Sequence, residues 1–340
     1  MRTSDFNYNL PSKNIAQRPA KPRDSSRLLI LHRESGAIEH RTFTDILDYV
    51  NPGDMFVLNE TRVIPARLAA KKIPTGGAAE LLLLQQEDSR TWEVIVGGRG
   101  IGVGRKLALK DGTTAEILRD LGQARRLVRF DAPIAERLES IGEIPLPPYI
   151  HQPLQNADEY QTVYARQPGS SAAPTAGLHF TEHLLQQIRS CGIKIAKVTL
   201  HIGLDTFSPI RSENPLDHPI HREWCQCSAA TAEEINRVDQ SGGRIFGIGS
   251  TTVRTLETAS RQAAPGKRVG AFEGFTDLFI YPGYQIKSVD AILTNFHLPR
   301  SSLLLMISAF TGRERLLATY RTAIENDYRF YSFGDAMLIL

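Results

Sequence analysis

Between about residue 66 and residue 146 the chain changes texture. ARLAAKKI, AELLLLQQE, TWEVIVGG, RKLALK, TAEILRD and ARRLVRF are short β-type segments separated by Gly, Asp or Gln turns. Six such strands within about seventy residues would expose many unpaired backbone groups as an open sheet, so a small closed or nearly closed barrel is expected. A predicted helix, IAERLESIG, and the proline-rich PLPPY (Pro145 to Tyr149) end the section, because proline stiffens the chain and stops strand pairing.

The flanks read differently. Before residue 65, RLLIL and DMFVL are strand-like and TDILDYV opens a helix at Thr44. From about Tyr160 strands and helices alternate, which calls for an α/β layer with a largely parallel sheet. A helix from Thr181 stops at Cys191-Gly192, and KIAKVTLHIG follows as an apolar strand. AATAEEINRVDQSGG is a helix capped near Thr231, and the strand RIFGIGS feeds the helix TTVRTLETAS. DLFIYPGY, VDAILTNFHLP, SSLLLMISAF and RERLLATYRTAIEN continue the alternation. The expected fold is therefore an α/β main domain with a mostly parallel sheet, residues 1–65 and 147–340, carrying an inserted six-stranded β-barrel domain, residues 66–146.

Composition narrows the class. Hydrophobic residues at 41% and charged ones at 23% are ordinary globular values, which exclude fibrous and disordered chains. The apolar run LLLMISAF, Leu303 to Phe310, is too short to span a bilayer, and MRTSDFNYNLPS lacks a signal-peptide core, so no membrane partner and a cytoplasmic location are expected. Cys191, Cys225 and Cys227 match neither a disulfide framework nor a zinc knuckle. Net charge is only +3, but residues 99–129 hold eight basic side chains against three acidic ones, an excess that either tracks a phosphate backbone or makes a solvated sheet face.

Functional side chains gather at strand ends in the second half, where the open edge of an α/β sheet places ligands. In AAPTAGLHFT, Thr175, Gly177 and His179 precede a helix N-terminus. They form either a ligand cradle with an acid or base, or a helix start with a backbone-satisfied histidine. In VTLHIGLDTF, His201 ends a strand and Asp205 follows, so the imidazole is a base with an orienting carboxylate or a hydrogen-bonded edge residue. DHPIHREW offers His218, His221 and Glu223, but Pro219 breaks the helix that would put the histidines on one face, and no metal is expected. In GIGSTTVRTLE a glycine turn opens a helix at Ser250, Thr251 and Thr252, with Arg254 and Glu257 following. Such a turn suits a carboxylate or a single phosphate, or is a plain helix cap; it is neither a P-loop nor a dinucleotide fingerprint. TNFHLPRSS adds Asn295, His297 and Arg300.

Nine stretches in order resemble the S-adenosylmethionine:tRNA ribosyltransferase-isomerase family of queuosine biosynthesis: DFNYNLPSKNIAQRPAKPRDSSRLLIL, LNETRVIPARL, IPLPPYI, AAPTAGLHFT, VTLHIGLDTF, GSTTVRTLE, TDLFIYPGY, TNFHLPRSSLLLMISAF and YRFYSFGDAMLIL. The resemblance implies transfer and isomerisation of the ribosyl moiety of S-adenosylmethionine onto 7-aminomethyl-7-deazaguanine at the tRNA wobble position. Adenine and methionine leave, and an epoxyqueuosine nucleoside remains. S-adenosylmethionine is then a ribosyl-donor substrate, tRNA carrying the aminomethyl base is the partner, no cofactor is tightly bound, and a monomer is expected.

That donor sets the demands on the site. A sulfonium acidifies the ribose C5′ protons, so the site needs a base there, an acid for the adenine ring, a cradle for the methionine carboxylate and aromatic faces near the sulfonium. His179 or His297 is assigned to proton transfer, with His201 and Glu257 as further catalytic candidates. Ser250, Thr251 and Thr252 with Arg254 are assigned to the methionine carboxylate, and Thr175, Gly177 and Asn295 to the rest of the donor pocket. Phe180, Phe207 and Tyr281 are the aromatic candidates. Arg99, Arg105, Lys106, Arg125 and Arg126 are the expected tRNA contacts. Two alternatives stand beside this reading: a tRNA-binding module without catalysis, and a metal-dependent hydrolase built on His218, His221 and Glu223.

Overall fold

The computed structural model describes residues 1–203, 209–220 and 222–340. They form two compact units: Met1–Thr61, Pro148–Gln167 and Ala173–Leu340 make one, and Arg62–Pro147 with Pro168–Ala172 the other. Strands are numbered along the chain. β1 (Arg27–Leu31), β2 (Ile38–Thr42) and β3 (Met55–Asn59) come first. Then follow β4 (Thr61–Val63), β5 (Arg67–Ile73), β6 (Ala78–Gln86), β7 (Thr91–Gly97), β8 (Lys106–Leu109), β9 (Thr114–Asp120), β10 (Arg125–Phe130), β11 (Gly142–Glu143) and β12 (Gln167–Ser170). The last are β13 (Lys194–Leu200), β14 (Glu223–Cys227), β15 (Ile245–Ile248), β16 (Phe272–Thr276), β17 (Ala291–Asn295) and β18 (Ala336–Ile339). Helices are α1 (Leu138–Ile141), α2 (Glu182–Ser190), α3 (Ala229–Gln240), α4 (Ser250–Ser260), α5 (Ser302–Thr311) and α6 (Arg313–Glu325).

The six segments after Pro65 close on themselves. β5, β6, β7, β10, β9 and β8 pair in that order, all antiparallel, and β8 returns to β5. Closure removes the two edges that a six-stranded sheet would expose. Alternate residues point inward: Leu68 and Ala70, Leu81 and Leu83, Trp92 and Val94, Leu107 and Leu109, Ala115 and Ile117, Val128 and Phe130 are buried. The predicted helix IAERLESIG shrinks to a 3-10 turn over Ala135–Arg137 and the single turn α1.

In the other unit a nine-stranded sheet runs in the order β16-β14-β13-β3-β15-β17-β18-β1-β2. Its centre, β13-β3-β15-β17, is parallel, and six of the nine strands share one direction. Both faces are covered at the centre, so β3, β15 and β17 are buried at every position, whereas the edge strand β2 is largely exposed. In β3, Met55 and Val57 join one core while Phe56 and Leu58 join the other. Helices α3, α4, α5 and α6 pack on the first face, and α2 with Phe43 and Ile46 on the second. The C-terminal β18 slots between β17 and β1, antiparallel to one and parallel to the other.

Several local expectations shift. The segment after Thr42 is a 3-10 helix, Phe43–Tyr49, because Thr42 and Asp45 form a reciprocal cap at its start and Val50 is extended. Ser228, rather than Thr231, caps α3: its Oγ accepts from the Thr231 N–H at 3.1 Å. Asp277–Tyr284 is irregular; the strand ahead of it is β16. No helix among the described residues is long and apolar enough to cross a membrane.

Candidate active site

The four parallel strands deliver their C-terminal ends to one edge, and each end carries a polar group. Asn59 ends β3, His201 follows β13, Gly249 and Ser250 follow β15, Asn295 ends β17 and His297 follows it. Asn59 uses its whole amide to tie this edge together. Its Oδ1 accepts from the N–H groups of Thr61 (3.1 Å) and Leu200 (3.0 Å), and its Nδ2 donates to the Leu200 carbonyl (3.0 Å) and Thr251 Oγ1 (3.2 Å). The turn into α4 needs glycine, because Gly249 lies at φ +89°, a backbone conformation costly for other residues. The N–H groups of the first turn of α4 then face outward with no acceptor inside the helix.

Across β17 sits the 3-10 turn Thr175–His179. Its histidine is the middle of a buried relay. Ser26 Oγ lies 2.7 Å from His179 Nδ1, Asn295 Nδ2 lies 3.2 Å from His179 Nε2, and the Thr175 hydroxyl donates to Asn295 Oδ1 at 2.8 Å. With Asn295 oriented by Thr175, Nε2 is the acceptor and Nδ1 carries the proton. His297, which lines the same cavities as Asn295, has its Nε2 2.7 Å from Thr294 Oγ1. Burial pushes the pKa of His179 down to about 4 and that of His297 down to about 3, so both rings are neutral near pH 7.

Three adjoining cavities run along this edge. Thr175, Asn295 and His297 line two of them; Ser250 and Thr251 line the second of these and also the third, which continues past Arg254, Glu223 and Phe279 and encloses ≈ 580 Å³ including its open mouth. Tyr149 and Tyr331 wall the opposite end, with ring centroids 4.6 Å apart. Tyr331 is held at φ +71°, rare for a bulky residue, while its N–H donates to the Phe296 carbonyl at 3.1 Å.

The cleft gathers Thr175, Ser250, Thr251, Asn295 and His297 from among the expected residues, and gives others different work. His179 does not line these cavities; both ring nitrogens are engaged, so it reaches the cleft through Asn295. Arg254 lines the cleft, but Nε and Nη2 donate to the carbonyls of Leu278 (3.0 Å) and Thr276 (3.2 Å), and Nη1 donates to the buried Glu223 carboxylate. A guanidinium committed this way walls the site and is no open carboxylate clamp. Glu223 also accepts from the Gly203 N–H at 3.0 Å.

Packing gives several other expected residues partners of their own. Thr252 spends its hydroxyl on the Ile248 carbonyl, 2.8 Å away. Glu257, two turns into α4, accepts from Tyr284 OH, from the N–H groups of Lys287 and Ser288 and from Ser288 Oγ, at 2.7–2.9 Å, so it fastens a loop. Phe180 is fully buried between Phe43 and Phe56 and cannot touch a ligand. Tyr281 packs on Phe279, and Phe279 is the ring that lines the cleft. Gly177 is small to admit Tyr164, since a Cβ there would lie 2.0 Å from the phenol oxygen. His201 stacks on Trp224 with its Nδ1 2.8 Å from Thr61 Oγ1, and burial lowers its pKa to about 4. Phe207, Asp205 and His221 lie outside the described residues.

Among the described residues no group of three or more His, Cys, Asp or Glu side chains could hold a metal ion. In the barrel Arg125 pairs with Glu93 (2.8 Å) and Arg126 with Asp120 (2.7 Å), while Lys106 stands 4.0 Å from Glu116. The Arg105 guanidinium donates to the Ile73 carbonyl at 3.4 Å, and the Arg99 carbonyl accepts from Lys72 Nζ at 2.7 Å. Asn59, Ser26, Thr294, Tyr149, Tyr331 and Phe279 were not singled out from sequence. For Asn59 a signal existed, an amide directly after the apolar run MFVL.

A mixed α/β sheet with a polar, histidine-bearing cleft at the ends of its parallel strands, in a chain that also closes a six-stranded barrel, describes an enzyme of the α/β class with an inserted β-barrel. The chain belongs to the family described as queuosine biosynthesis protein, whose model matches residues 3–339. It is 49% identical to the S-adenosylmethionine:tRNA ribosyltransferase-isomerase of Moorella thermoacetica and 48% identical to that of Symbiobacterium thermophilum, in both cases over 100% of each chain. Among solved structures it resembles the S-adenosylmethionine tRNA ribosyltransferase of Thermotoga maritima, with 36% identity, a TM-score of 0.58, and coverage of 99% of this chain and 100% of that one.

Proposed function

We propose that the chain transfers and isomerises the ribosyl moiety of S-adenosylmethionine onto 7-aminomethyl-7-deazaguanine in tRNA, releasing adenine and methionine. The observation that carries the site reading is the cleft at the C-terminal ends of β15 and β17, where the Thr175 hydroxyl, the Asn295 amide, the neutral His297 imidazole and the open N-terminus of α4 lie along one connected surface. The methionine carboxylate is held by the first N–H groups of α4 and the Ser250 and Thr251 hydroxyls, and Phe279 lies at the same end for the sulfonium. His297 is the proton acceptor for C5′, made acidic by the adjacent sulfonium. His179 is a positioning residue that fixes Asn295. Bond making then follows the donor's own logic: adenine leaves C1′ with a proton on its ring, the aminomethyl nitrogen captures the opened sugar, carbon–carbon ring closure makes the cyclopentane, and methionine departs as the epoxide closes.

The same proposal makes the protein a cytoplasmic monomer without a tightly bound cofactor, with Arg99, Arg105, Lys106, Arg125 and Arg126 on the tRNA-facing barrel. Incubation with S-adenosylmethionine and precursor tRNA, followed by mass analysis of the wobble nucleoside and chromatography of free adenine, tests it. The expected result is a heavier nucleoside with adenine released in equal amount. An unchanged nucleoside with tRNA still bound would leave the non-catalytic module.

A further inference from the structure

His297 is placed by its backbone as well as by its ring. It follows the last residues of β17, where the ladder has ended and its own N–H and C=O need other partners. Two tyrosines provide them. The His297 N–H donates to Tyr320 OH at 3.0 Å, and Tyr8 OH donates to the His297 carbonyl. The two rings meet edge to face, with centroids 5.3 Å apart at 90°. Tyr320 is fully buried on α6, and Tyr8 packs against the same core. Burial raises both phenols far above their ordinary range, so each keeps its proton at any working pH.

The N-terminal segment that carries Tyr8 is itself tied to the loop after β17. The Arg300 N–H donates to the Phe6 carbonyl at 3.1 Å, and Arg300 adopts φ +55° there. Tyr8 and Phe6 thus grip the loop on either side of Leu298 and Pro299, at His297 and at Arg300. We infer that Tyr8 and Tyr320 form a hydroxyl clamp on the backbone of His297 that positions its imidazole for proton transfer, and that the N-terminal segment is part of the active-site scaffold. The inference rests on the role given to His297 above. Neither phenol touches the cleft, so both are positioning residues. A proton acceptor held by both backbone groups keeps its ring within the narrow geometry that proton transfer demands, and small displacements of such a group are costly in rate.

The experiment is a double-mutant cycle on the full chain, with adenine release as the readout. Tyr8→Phe removes one hydroxyl and keeps the ring packing; Tyr320→Phe does the same at the N–H. Each is expected to lower kcat about 10- to 100-fold while KM for S-adenosylmethionine and for tRNA stays within about twofold. On a His297→Gln background, either tyrosine change is expected to have almost no further effect, because the group being positioned is gone. A loss of the same factor on both backgrounds, or parent-like kcat in both single tyrosine variants, overturns the clamp alone. Parent-like turnover in His297→Gln overturns the clamp and the role of His297 together. Should Tyr320→Phe fold poorly, Tyr8→Phe carries the test, with its thermal melt recorded beside the kinetics.

Discussion

His179 and His297 are chemically ordinary imidazoles made unusual by burial. Each lies within apolar surroundings at the sheet edge, and desolvation lowers its pKa to about 4 and about 3, well below the ordinary 6.5. The sign of the linkage follows. Above pH 6.5 both folded and unfolded rings are neutral and stability does not respond to them. Between 6.5 and about 4 the unfolded rings take protons that the folded ones refuse, so stability falls as pH falls, by about 1.4 kcal/mol per pH unit for each histidine. Urea midpoints measured from pH 7.5 to 5 should show this slope, and His297→Asn should flatten it by one histidine's share; an unaltered slope contradicts the burial of a neutral ring. Sequence pointed to both histidines through their strand-end and helix-mouth settings. It could not divide them into a ring lining the cleft and a ring behind it, because that division depends on Asn295 and Thr175, which arrive from elements 120 residues apart.

At the scale of elements, the turn from β15 into α4 joins fold to chemistry. GIGSTT was readable as an anion-tolerant helix opening because glycine before Ser-Thr-Thr sets the turn and leaves N–H groups free. Gly249 at φ +89° and ψ 151° has room for a methyl, with Ala176 Cβ 3.5 Å away, so the cost of Gly249→Ala is backbone strain. The expectation is a loss of about 1–3 kcal/mol in chemical denaturation together with weaker S-adenosylmethionine binding. Unchanged stability would mean the turn relaxes without glycine. Arg254 and Glu257 belong to the same helix and read as equally functional from their spacing. Their carboxylate and guanidinium contacts come from β14, from Leu278 and from the Lys287–Ser288 turn, partners that no local pattern announces. Phe180 misleads in the same way: a helix-mouth aromatic is equally a core residue, and only the facing Phe43 and Phe56 decide.

At the scale of the whole molecule, the barrel carries a local basic excess but neutralises part of it. Arg125 and Arg126 are held by Glu93 and Asp120, whereas Arg99 and Arg105 have no acidic partner among the described residues. If the barrel carries part of the tRNA footprint, replacing Arg99 and Arg105 with alanine should reduce the slope of log affinity against log salt by about 1–2. Replacing Arg125 and Arg126 should change it less, since their charge is already compensated. Equal slopes for the parent and the Arg99/Arg105 variant would move the footprint off this face. The basic run was visible in the chain; its internal pairing was not, because Glu93 is more than thirty residues from Arg125 and meets it only across β7 and β10.

Sequence by itself determined the strand periodicity of the barrel, the alternation of the α/β part, the glycine turn into α4 and the family, since each is written in residues close together or in blocks in fixed order. Tertiary structure alone decided which polar groups meet. The Ser26–His179–Asn295–Thr175 relay, the Asn59 tie, the Arg254–Glu223 pair and the tyrosine hydroxyls on His297 all join residues remote in the chain. The physical reason is that periodicity records which face of an element is buried, while a hydrogen-bond partner is set by the packing of one element on another.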